Sequence, residues 1–96
     1  MTLREQLNAD LRNALRAGDE RTKTTLRVLL ASIQNAEIAK GKQELDDAAV
    51  LDVIGREIKL RRDSIEEFRK ASRNDLIAKA ESEIAVLSVY LPPQLS

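Results

Sequence analysis

Apolar residues recur along this chain at spacings of three and four from one end to the other, and nowhere do they alternate one by one. That rhythm places side chains on one stripe of a 3.6-residue helix and does not fit a half-buried strand. Ala, Leu, Glu, Lys, Arg and Gln, all good helix formers, supply most of the residues. The expected fold is all-α, a four-helix bundle-like domain with helices at about 3–17, 20–40, 47–71 and 73–90.

Each segment carries its own punctuation. Thr2 and Glu5 form a Thr-x-x-Glu capping box ahead of the stripe Leu3, Leu7, Leu11, Ala14 and Leu15. Gly18 suits the left-handed residue that ends a helix, and Asp19 can cap the next one. So short a link predicts an antiparallel hairpin of the first two helices. The second stripe is Leu26, Leu29, Leu30, Ile33 and Ala36, closed by Gly41, with Lys40 at the negative end of the helix dipole. Asp46 caps the third segment, about 40 Å long at ~1.5 Å per residue, with the spine Leu51, Ile54, Ile58, Ile65 and Phe68. Gly55 in its interior costs about 1 kcal/mol against Ala. Ser72 and Asp75 offer a capping box to the fourth segment, whose stripe is Ile77, Ala80, Ile84, Leu87 and Leu91 and which Pro92-Pro93 stops. Phe68 and Tyr90, the only aromatics, are expected to plug the core, with the Tyr hydroxyl reaching the surface.

A chain of 96 residues makes one domain. Residues 1–91 are read as that domain, and 92–96 as a hinge toward a C-terminal helical domain absent from this chain. There is no Cys and no His, so zinc sites of the usual type are excluded. The three Gly are scattered at 18, 41 and 55 and form no phosphate loop. Asp46-Asp47 reads as a helix N-terminus rather than a magnesium site. No nucleophile–base constellation is present, so no catalytic residue, metal or cofactor is expected. No run approaches the ~20 apolar residues of a membrane span, and no signal-like run opens the chain, so a soluble cytoplasmic protein is expected.

Lys plus Arg equals Asp plus Glu at 16 each, which argues against a strongly electrostatic nucleic-acid binder. The charge is nevertheless uneven. Arg56 to Arg73 holds seven basic residues against four acidic ones, while Asp46 to Gly55 holds three Asp and no base. Arg56, Lys59, Arg61, Arg62, Lys70 and Arg73 are therefore the candidate RNA- or partner-binding residues. The plainer alternative is a solvated face laced by the pairs Glu57–Arg61, Lys59–Asp63, Arg62–Glu66 and Glu66–Lys70. Arg61 interrupts the apolar spine, so it either pairs with a carboxylate across the bundle or faces a groove left for a partner. Asn35 and Glu37 read as a solvated or locally hydrogen-bonded turn.

Several runs together resemble the YqeY family. They are Asn35-Ala36-Glu37-Ile38, Lys59-Leu60-Arg61-Arg62-Asp63-Ser64-Ile65 and Tyr90-Leu91-Pro92-Pro93-Gln94-Leu95-Ser96, with Gly18-Asp19, Leu26-Arg27, Asp75-Leu76 and Glu83-Ile84 between and before them. The family is similar to the tail of the GatB subunit of tRNA-dependent amidotransferases, so the resemblance implies a non-catalytic accessory role in tRNA handling. The partners it implies are tRNA and an amidotransferase, a carbon–nitrogen ligase with glutamine as amido-N donor. Two other readings stand beside it. One is a protein–protein scaffold with no RNA contact. The other is an amidotransferase in its own right, which needs a nucleophile and an ATP site that the sequence does not offer.

Overall fold

A computed structural model describes residues 1–92. It contains four helices, α1 (Leu3–Ala17), α2 (Glu20–Ala39), α3 (Asp47–Lys70) and α4 (Asn74–Ser88), and no strand among the described residues. The expected all-α architecture is thus observed, with boundaries within two residues of the sequence reading. The hinge expected at 92–96 falls, beyond Pro92, outside the described residues.

The helix starts follow their caps. Thr2 and Glu5 close the capping box at α1. Asp19 accepts from Thr22 N at 3.1 Å to start α2, and Asp46 accepts from Ala49 N at 2.9 Å to start α3. The helix ends share one solution. Asp19 N donates to Ala14 O, Lys42 N to Glu37 O and Arg73 N to Phe68 O, at 2.9, 2.8 and 2.9 Å. In each case the residue before the last turn's closing donor, or its neighbour, is left-handed: Gly18, Gly41 with Lys42, and Ser72. These are Schellman-type ends, which satisfy carbonyls that would otherwise be orphaned.

The capping box expected from Ser72 and Asp75 does not form. Ser72 closes α3 at φ 56° and so cannot also hold the extended backbone of an N-cap. Arg73 takes that position without a side-chain cap, and binds Asp75 instead. At the far end of α4 the helix stops at Ser88, and Tyr90 and Leu91 follow in single turns donating to Leu87 and Ser88. Pro92 has no N–H to extend the ladder and disfavours helical backbone at Leu91.

The core is built from Leu7 of α1, Leu26, Leu29 and Ile33 of α2, Leu45 of the α2–α3 loop, Val50, Val53, Ile54 and Ile58 of α3, and Leu87 of α4. Two expected stripe members are less buried than their neighbours, though Leu51 still packs against the core. Leu15 is 47 % exposed, and Leu51 yields the centre of the α3 face to Val50 and Val53. Tyr90 packs against this core as expected, whereas Phe68 is half-buried on the flank of α3 and lines a groove. Thr25 is buried with a hydroxyl that has no partner among the described residues, in a face otherwise made of Leu26, Leu29 and Ile33.

Two backbone positions carry residues better suited to each other. Nothing lies within 4 Å of a Cβ built on Gly55, a helical residue in mid-α3. Gly55→Ala is expected to raise stability by about 1 kcal/mol, read as a higher urea midpoint at unchanged m. Ser72→Gly relieves a left-handed L-residue and is expected to raise stability by up to ~1 kcal/mol in the same measurement, once the added freedom of the unfolded glycine is offset.

Candidate functional site

The six basic candidates lie on or just after α3, and the fold divides them. Arg56, Lys59 and Arg62 recur every third residue along the exposed side of the helix. Lys59 is tied to Asp63 at 3.0 Å and Lys70 to Glu67 at 3.3 Å, all four side chains well exposed. Arg73 grips Asp75 with two bonds, 3.1 Å from Nε and 3.0 Å from Nη2, which holds the Asp75 carboxyl below its ordinary range. The expected pairs Arg62–Glu66 and Glu66–Lys70 are replaced, since Glu66 is taken by Arg69 at 2.6 Å. Arg56 and Arg62 enter no ion pair among the described residues.

Arg61 points the other way. It donates to the Glu57 carboxylate and carbonyl at 3.0 and 3.1 Å, and to Glu83 Oε1 of α4 at 3.2 Å. Its side chain is only 13 % exposed. The polar break in the apolar spine is thus a cross-bundle tie between α3 and α4. The same side chain also borders an open groove of about 290 Å³ between α2, α3 and α4. Val28, Leu60, Phe68, Leu76 and Ala80 give that groove an apolar lining, and Glu57, Lys79 and Glu83 its polar edge. Leu60 and Val28 are 59 % and 44 % exposed there. Arg61 therefore pairs across the bundle and also faces a groove.

Two further sites escaped the sequence reading. Glu37, read as solvated or locally bonded, is largely buried and joins three elements. It accepts from Leu45 N at 2.9 Å and pairs with Arg4 of α1, and the Leu45 N–H, followed by Arg4, holds its carboxyl below the ordinary range. Leu3 N also donates to Asp47 at 2.9 Å, so this end of the bundle is laced across α1, the loop and α3. At the other site Tyr90 OH donates to Asp10 Oδ2 at 2.6 Å. Burial, together with the carboxylate of Asp10, pushes the Tyr90 hydroxyl up and keeps it a proton donor. Neither contact has a local spacing signal, since the partners stand 33 and 80 residues apart.

No group of three or more acidic, His or Cys side chains converges on a metal-sized position among the described residues. No helix there is long and apolar enough to cross a membrane.

Among the described residues Arg61 is the cation that bonds both Glu57 and Glu83, so Arg61→Ala leaves two carboxylates without their shared partner. The expected loss is about 2 kcal/mol of unfolding free energy, of which Glu83→Gln in the same background recovers part. Urea melts of the two single variants and the double variant measure it, and a strictly additive cycle would refute the tie.

Comparison with known proteins places this geometry. The family model described as Yqey-like protein matches residues 4–96. Relatives named altered inheritance of mitochondria protein 41, mitochondrial, are 45 % identical over 85 residues in Lachancea thermotolerans, 42 % over 84 in Kluyveromyces lactis and 38 % over 85 in Saccharomyces cerevisiae. Each alignment covers 88 % of this chain but only 45–46 % of the relative, so the chain spans about half the length of the curated relatives it matches. Their names overturn the expectation of a cytoplasmic protein. The features behind that expectation, a Cys-free chain without a secretory or membrane-spanning run, do not separate cytoplasm from mitochondrion. With the match running over essentially its whole length, the chain belongs to the YqeY-like family.

Proposed function

We propose that this domain is an accessory module that helps present tRNA to an amidotransferase, the glutamine-dependent chemistry residing in the partner. The observation that carries the reading is the pair Arg56 and Arg62. Their neighbours Lys59, Lys70 and Arg73 are each matched to a carboxylate, whereas these two guanidiniums stand on the exposed side of α3 without one among the described residues. Uncompensated guanidiniums one helical step either side of Lys59 suit successive phosphates of a nucleic-acid backbone. Family membership supports the tRNA assignment through the likeness to the GatB tail.

A second reading, a protein–protein scaffold without RNA contact, is favoured by the groove at Val28, Leu60 and Phe68. Its exposed apolar side chains lie in one place rather than scattered over the surface.

Titration of labelled total tRNA with the 96-residue protein across a salt series separates the two. The expected result is salt-dependent binding, weakened in the Arg56→Ala/Arg62→Ala variant, with the slope of log K against log salt reduced by about one to two. Arg61 is unsuited to this test because its loss also opens the α3–α4 tie. Binding unchanged in the double variant rejects these residues as phosphate contacts. Absence of any binding at low salt rejects the tRNA reading and leaves the scaffold.

A further inference from the structure

The contact between Tyr90 and Asp10 joins α1 to the segment that follows α4. Among the described residues, no Cα of α1 comes within 8 Å of a Cα of α4. Leu87 is the last fully buried side chain, and beyond it Ser88 and Val89 face solvent. The backbone there is held by two bonds of single turns, Tyr90 N to Leu87 O and Leu91 N to Ser88 O, both 3.2 Å. Pro92 adds no donor. The segment is held by the Tyr90 ring and Leu91 against the core, and its one hydrogen bond to α1 among the described residues is from the Tyr90 hydroxyl to Asp10.

The receiving carboxylate is prepared for that role. Gln6 Nε2 donates to Asp10 Oδ1 at 3.0 Å from one turn earlier in α1. This fixes the carboxylate and leaves Oδ2 for Tyr90 at 2.6 Å, a short bond of the charge-assisted kind. The hollow around it, lined by Asp10, Thr22, Ala85, Val86, Val89 and Tyr90, is open, so the hydroxyl meets solvent once the bond breaks, and further opening lifts the half-buried Tyr90 ring and Leu91 off the core.

We infer that Tyr90 and Asp10 form a releasable latch, which holds the chain's exit from the bundle against α1 and opens without unfolding the four helices. When it is shut, residues 88–91 are held beside α1. When it is open, residues 88–91 swing from Leu87 as a hinge, and the Val86 side of α4 becomes accessible. The device rests on side-chain geometry and is independent of what the basic face of α3 binds.

Amide hydrogen exchange followed by NMR on the 96-residue protein tests it. Tyr90→Phe and Asp10→Asn should each speed exchange at the Tyr90 and Leu91 amides about tenfold, the double variant no further, with the amides of Leu26, Ile54 and Ile58 unchanged. Unchanged exchange at Tyr90 and Leu91 in both single variants would overturn the latch. So would an equal acceleration in the core, which would make the bond an ordinary part of global stability.

Discussion

Three helices rest on one stretch of the third. Val50, Val53, Ile54 and Ile58 are all buried, and α1, α2 and α4 each pack on α3. None of these segments would hold as an isolated helix, because short amphipathic helices in water are marginal without a surface to cover. Removing apolar area from water contributes roughly 25 cal/mol per Å², and four of the ten residues of the buried core stand on this stretch of α3. Leu45 completes the arrangement by folding in from the loop, so the connection between α2 and α3 is itself part of the core.

Away from that centre, polar ties set how the helices meet. Arg61 joins α3 to α4 where the main core has thinned and only Ile65 and Ala80 remain fully buried nearby. Arg4 and Glu37 join α1 to the end of α2 and, through Leu45 N, to the loop. Tyr90 and Asp10 join the chain's exit to α1. Each involves an ionised group shielded from water on one side, which makes it directional in a way that the apolar contacts are not. Short connections closed by left-handed residues complete the geometry, because they leave adjacent helices little freedom in angle.

The outer surface follows from this use of the charges. Most of the carboxylates and cations on α3 are spent on each other, consistent with a chain whose formal charge sums to zero. Arg56 and Arg62, like Asp47 and Asp52, are the α3 charges that enter no ion pair among the described residues, and the groove at Leu60, Val28 and Phe68 lies apart from them. This YqeY-like domain spans about half the length of the curated relatives it matches, and these two surface features differ in chemistry and in position.

The helices were legible in the order of residues alone. Their stripes, the caps Thr2, Asp19 and Asp46 and the closing Gly18 and Gly41 are local signals, because a helix is stabilised by bonds three to five residues apart. The same locality let Glu57–Arg61 and Lys59–Asp63 be anticipated. It failed where two local choices competed, as when Ser72 closed one helix instead of opening the next and Glu66 took Arg69 over Arg62 or Lys70. Only the tertiary structure decided that Arg61 reaches Glu83, that Glu37 meets Arg4 and that Tyr90 finds Asp10. Those partners lie 22 to 80 residues apart, and only the docking of one helix on another brings them within the 3 Å or so over which a hydrogen bond acts.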